Sequence, residues 1–426
     1  MRQWAMAAAL LAGLAIPTAA TEVGDQLPQR LYDGTMGEIG QLALDRCYEF
    51  NTDACFARGL VDLIGAYEEL AQAMYRHGAI QPNSPAMAML LGMSMSDPLA
   101  APANPAPEKL TYDGFRAILD AFTVRLDAAA GSFEMAEMGT DFVIPVDPLR
   151  VRIDLDGDGT AGEGETLAML LGSLEGFADI AAPEAAPSGK TKRAPPTPDT
   201  TIGFDNADAV WFAGYANVVA APVDLLLAHD FSEFFDAYLH RVFPLAGLPM
   251  QDHSRGGTLF MDADSDAYFA DLIAGIHTAD FPVIEPERLA GVLDRLKSIT
   301  ALSRRNWAAI LAETDDDREL VPSPSQTSML PGMSVTQNMV DAWLVTLDTV
   351  DQILDGKVLV PHWRFRQGFD LNAYFNTATE TDLVLLISGS GALPYLKAGP
   401  IADAQSFAEA NEAFGADWLN YAFWFN

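Results

Sequence analysis

Apolar residues recur three and four positions apart over most of this chain, the spacing of a helix with one buried face. Leu31 to Tyr48 and Phe56 to His77 read as two such helices, and Gly78 stands where the second should end. Asp113 to Ala130 repeats the pattern, with Phe115, Ile118, Leu119, Phe122 and Leu126 at core-facing positions. Further helices are predicted near Asp208 to Phe243, Asp264 to His277, Pro286 to Glu313 and Thr336 to Leu354. Pro286 lacks an N–H and so suits a first helical turn. Ser334 or Thr336 offers a hydroxyl to cap the last of the four.

The period changes to two between Phe142 and Leu155, where Val151, Ile153 and Leu155 alternate with charged residues as in a strand. A helix from Glu163 to Ile180 should follow. Shorter strand candidates lie at Lys357 to Phe365 and Asp382 to Ser388. The predicted fold class is therefore mainly α, a multi-helix soluble protein with a few short β-strands. Residues 81 to 110 read as a loop rich in Pro, Met and Ala. Residues 181 to 200, AAPEAAPSGKTKRAPPTPDT, are the clearest break, a Pro-rich linker or insertion. They divide an N-terminal helical region, 21 to 180, from a mainly helical region, 201 to 426.

Composition adds an address. The 426 residues carry 59 Asp and Glu against 25 Lys and Arg, a formal charge of -34 that argues against a nucleic-acid partner. Residues 1 to 20 have the layout of a signal peptide: Arg2, an apolar stretch from Ala5 to Ile16, and small residues before Thr21. No later apolar run reaches transmembrane length, so no transmembrane segment is expected after cleavage. The expected location is periplasmic or secreted. Cys47 and Cys55 enclose the polar segment YEFNTDA between two helical patterns, and in an oxidising compartment they should form a disulfide.

The most specific chemistry lies in DLDGDGTAGEGE. Asp154, Asp156 and Asp158 stand at positions one, three and five of a twelve-residue loop, Gly159 at six, Thr160 at seven and Glu165 at twelve. Carboxylates on alternate positions converge on a hard cation when the chain turns, and glycine at six permits that turn. Over these twelve residues the chain resembles EF-hand calcium-binding loops. The resemblance implies calcium as cofactor, held by the side chains of Asp154, Asp156, Asp158 and Glu165 and the carbonyl of Thr160. The segment before the loop reads as a strand rather than a helix, and Ala161 stands where paired EF-hands carry a larger aliphatic residue.

Other candidates are weaker. Asp262, Asp264 and Asp266 copy the first half of the loop, but Ala267 and Ile273 replace its glycine and its closing glutamate. Asp315-Asp316-Asp317 reads as a solvated turn. On one continuous helix His229, Glu233, Asp236 and His240 would form a polar, exposed stripe opposite Phe231, Phe234, Phe235 and Tyr238. On a strand His362, Arg364 and Arg366 would share a face, satisfied by internal carboxylates or by a small anionic ligand. Ser388 to Gly391, SGSG, is not a nucleophile elbow. The aromatic end, Trp418 to Asn426, should pack into the core.

The leading expectation is an exported calcium-binding protein whose ion is structural and supports binding of a protein partner or ligand. One alternative is a periplasmic hydrolase with a pocket between the halves, using carboxylates with His362 or Arg364. Another is an envelope assembly or structural component.

Overall fold

The computed structural model describes residues 22–80, 104–139, 141–167, 200–250, 266–316, 318–327, 334–415 and 418–426. The leader expected at 1–20, nearly all of the linker or insertion expected at 181–200 and most of the helix expected to end at Ile180 lie outside the described residues, as do Asp262 and Asp264. Within them the chain is mainly helical, with a few short strands in two-stranded sheets, the predicted class.

The N-terminal helices are α1 (Glu22–Asp33), α2 (Gly37–Tyr48), α3 (Thr52–Arg76) and α4 (Tyr112–Glu137). The first predicted helix is broken in two because Gly34 adopts a left-handed conformation, φ 68°. Cys47 and Cys55 are bonded across the α2–α3 connection, and both are buried. A bridge closing so short a loop restricts the unfolded chain by about 2–3 kcal/mol. It fits an oxidising compartment. Gly78 ends the third helix with φ 68°, as its position predicts.

Strand β1 (Ile144–Val146) pairs antiparallel with β2 (Ile202–Phe204), in register Ile144 to Phe204. Helix α5 (Asn206–Leu227) follows directly. Its start is fixed by a capping box, in which Asp205 accepts from the amides of Ala207 and Asp208 while Asp208 accepts from that of Asp205. By length and composition α5 could cross a membrane, which the sequence reading had not anticipated. It packs between α4 and α8 (Pro286–Ile310). Its buried Asp224 meets Arg288 at 2.9 Å and Arg295 at 2.7 Å from α8. Pro286 occupies the first turn of α8 as expected. A single core cluster joins α1 to α5, running from Val23 through Phe56, Leu126 and Phe204 to Ala220.

The helix predicted from Asp208 to Phe243 is interrupted after Leu227 and resumes as α6 (Ser232–Tyr238). The histidine stripe therefore does not form. His229 is buried, bonded through Nδ1 to the Leu225 carbonyl and through Nε2 to the Thr381 hydroxyl, each at 2.7 Å. His240 is buried against Asp271 of α7 (Ala267–His277). A local period cannot reveal that His229 will meet a threonine 152 residues away.

The remainder is α9 (Gln337–Leu354), α10 (Leu371–Thr377), α11 (Leu383–Ser388), α12 (Ala408–Phe414) and α13 (Trp418–Phe425), with β3 (Asp280–Pro282) paired to β5 (Glu380–Asp382) and β4 (Gly368–Phe369) to β6 (Leu396–Lys397). Thr336, not Ser334, caps α9. The strand expected from Asp382 to Ser388 is helical beyond Asp382, whose carboxylate accepts the Leu385 amide at the helix start. In the segment from Lys357 to Phe365 only Leu359 and Val360 make β-bridges. The aromatic end packs into the core as predicted. The Phe425 carbonyl accepts from Trp307 Nε1 and Ser303, and the Trp424 carbonyl from Trp211 Nε1.

Candidate functional site

The twelve-residue loop is mounted on the N-terminal helices. On its entering side, Val151, Ile153 and Leu155 are buried in the core, which is what their alternation predicts. A short antiparallel pairing closes its base: the Ile153 amide donates to the Glu165 carbonyl at 3.0 Å, and the Leu167 amide to the Val151 carbonyl at 2.9 Å. The strand reading of Phe142 to Leu155 thus holds at Ile144–Val146 and again at the loop's base, where Arg152 bridges Thr166.

Four contacts anchor the loop to helices α1 and α3. The Arg152 amide donates to the Leu31 carbonyl at 3.0 Å. Glu68 accepts the Asp154 amide at 3.2 Å, and Gln72 donates to the Asp154 carbonyl at 2.9 Å. Gly34 lies under Ala161, where an added Cβ would stand 2.4 Å from the alanine methyl. The loop and the α1–α2 turn thus fit together only because residue 34 lacks a side chain.

Asp154, Asp156 and Asp158 are brought together, each offering an oxygen within 4.8 Å of the others. Two oxygens bound to one calcium ion at its usual distances lie at most about 4.6–5.2 Å apart, so a single ion can reach all three. Asp154 is largely buried, and its two oxygens accept the amides of Gly157 at 2.8 Å and Gly159 at 2.9 Å. Gly159 has φ 90°, the conformation expected of position six. Asp158 accepts both the amide of Thr160, at 2.8 Å, and its hydroxyl, at 2.6 Å. Those bonds hold its carboxyl below the ordinary range.

Glu165 is not gathered with the aspartates. Its oxygens accept the Leu155 amide at 2.9 Å and the Gly162 amide at 2.7 Å, tying position twelve to the loop backbone. To close a shell around an ion it would have to exchange at least one of these bonds. Thr160 meets Asp158 through its own amide and hydroxyl, with the carbonyl left to serve an ion.

A second carboxylate cluster escaped the sequence reading. Asp205, Glu313 and Glu319 bring oxygens within 4.8 Å of one another near the buried Asp208. Asp205 lies over a hundred residues before Glu313 and Glu319, and only the Asp205 capping box before an apolar run hinted at part of it. Its electrostatics oppose those of the loop. Burial, with Asp205 as the next contributor, pushes Glu313 up to about 8. Burial likewise raises Asp205, and with the Asp205 charge it raises Asp208. Hydrogen bonds lower Asp158 in the loop, whereas burial raises Glu313, Asp205 and Asp208 here.

That difference has a pH signature. Between the ordinary glutamate value of 4.5 and about 8, the folded chain keeps a Glu313 proton that the unfolded chain has lost. This contribution is complete below the lower value and vanishes as pH rises through the upper one. The melting midpoint is expected to fall from pH 5 to 8 by less in Glu313→Gln than in the native protein. Parallel curves for the two would contradict the assignment. Asp315 and Asp316 are exposed, and Asp316 accepts the Thr327 amide and hydroxyl, both at 2.8 Å, as a solvated turn should.

The segment with His362, Arg364 and Arg366 forms a turn rather than a strand, so its basic groups do not share a strand face. His362 meets the Leu386 carbonyl at 3.1 Å, and Arg364 donates to that of Ser388 at 2.6 Å. An apolar cleft of about 520 Å³ lies nearby, lined by Ile353, Val360, Pro361, Ala402 and Phe407. Asp403 on its wall is taken up by the Gln405 and Ser406 amides.

Comparison with protein-family models, with curated proteins and with solved structures finds no match to this chain.

Proposed function

We propose that this is an exported calcium-binding protein, periplasmic or secreted, in which the ion serves the fold. The observation that supports this most is the convergence of Asp154, Asp156 and Asp158 within 4.8 Å on a loop bonded to two core helices. At such separations each carboxylate pair repels by about 1 kcal/mol in water and about 3–4 kcal/mol at an effective dielectric of 20. A divalent cation turns that repulsion into attraction. Glu165 then swings from the loop amides to complete the shell. Because Gln72 and Glu68 hold the backbone of Asp154, ordering the loop also orders α3. The disulfide and the leader-like residues 1 to 20 support export, where calcium is plentiful enough to fill a site of modest affinity. In this reading the ion supports a surface that binds a protein partner or a small anionic ligand.

Hydrogen exchange tests the structural role. Calcium is expected to slow exchange at Gly157, Gly159 and Thr160 and also along α3 near Glu68 and Gln72. Protection confined to the loop would leave an ion bound but remove its role in the fold.

A further inference from the structure

Helix α11 is apolar along its length, and only Leu386 of its side chains packs against a core cluster. Its sequence is LVLLIS, yet none of its six residues is buried. Ile387 is 70 % exposed, and Val384 and Leu385 are exposed beside it. Trp363, 76 % exposed, donates its indole N–H to the Ile387 carbonyl at 2.8 Å, and Leu393 projects from the next turn. Helix α7 likewise exposes apolar side chains. It buries Asp271 and Gly275 and exposes Phe269, Ile273 and Ile276. The two helices are joined through the β3–β5 pair, where the Leu383 amide donates to the Ala279 carbonyl at 2.9 Å. Exposed apolar side chains gathered on α11 and the adjoining Trp363 and Leu393 mark a candidate interaction site.

Charge identifies the occupant. At the C-terminal end of α11 stand Arg364, which donates to the Ser388 carbonyl and lies over the Trp363 ring, and the exposed Arg366. Neither has a carboxylate partner among the described residues, in a chain with 59 acidic side chains. At the N-terminal end stand Asp280 and Glu380, exposed on β3 and β5 and likewise without a cationic partner among the described residues. An apolar helix with free cations at one end and free acids at the other is complementary to itself when turned through a two-fold axis.

We infer that this face is the interface of a two-fold homodimer. Antiparallel packing of α11 on its counterpart buries Trp363, Leu385, Ile387 and Leu393 from both copies. It also sets Arg364 and Arg366 of each chain against Asp280 and Glu380 of the other. Such an isologous contact closes after two copies. Elsewhere two chains of charge -34 repel, so association is confined to the surface where unpaired cations and apolar side chains coincide.

The test is sedimentation equilibrium of the exported protein between about 1 and 100 µM, the range over which a weak dimer dissociates. The native chain should reach the two-chain mass. Ile387→Glu should weaken association about tenfold or more, with a midpoint equal to that of the native chain when both are melted at concentrations where they are monomeric. Arg364→Glu with Arg366→Glu should also weaken it, and adding Asp280→Arg with Glu380→Arg should restore it. A native chain that stays monomeric throughout, or a dimer indifferent to Ile387→Glu, overturns the inference. So does a monomer that instead co-sediments with anionic lipid vesicles and loses that property in Ile387→Glu, which would assign the face to a membrane surface.

Discussion

Replacing Asp224 by alanine is expected to destabilise the protein by about 3 kcal/mol, the scale of breaking a buried ion pair by removing one partner. Asp224 is the point at which α5 is held to α8. Arg288 and Arg295 both end on it, and each also reaches a more exposed acid on α4, Asp120 or Asp127. Those outer partners keep the arginines from being wholly stranded, so the cost should fall at the low end of the range for such losses. Asp224→Asn, which keeps the volume and can still accept a hydrogen bond, should cost less. Denaturant unfolding of the two variants measures this. A change below about 1 kcal/mol for alanine would mean that α5 is not locked in the core. Its apolar composition would then need another explanation.

Calcium is expected to produce the second large effect. With free ion a hundredfold above its Kd, binding to the native state alone stabilises by about 2.7 kcal/mol. The melting midpoint should therefore rise by a few degrees when calcium is added to metal-stripped protein. The double variant Asp154→Asn, Glu165→Gln should melt at one temperature with or without the ion. An ion-dependent rise that persists in the variant would place the site elsewhere.

How much of this was legible in the sequence follows from how local each feature is. The calcium-type loop is twelve consecutive residues whose turn is set by Gly159, so its aspartates converge much as their spacing predicts. The disulfide is equally local, with its cysteines eight residues apart. Thr336 at α9 and Pro286 at α8 mark their helices because capping depends on neighbours a few positions away.

What escaped notice depends on distant chain. His229 lies outside the helical stripe, and its Nε2 accepts from the hydroxyl of Thr381, 152 residues later. The cluster of Asp205, Glu313 and Glu319 exists only after folding. The LVLLI run of α11 reads as a buried strand by composition, since a short apolar run carries no period to distinguish strand from helix. Its exposure could not be inferred at all from sequence, because burial is decided by what the rest of the chain places beside it. Glu165 is a subtler case: its position predicts a ligand, while the amides of Leu155 and Gly162 compete for the same oxygens.

The most direct test of the calcium account is a calorimetric titration of the metal-stripped protein with calcium, beside the Asp154→Asn, Glu165→Gln variant. The account predicts saturable binding of one ion at the loop, lost in the variant. No binding by the native protein at millimolar calcium would contradict it, and the loop would then be an acidic surface turn.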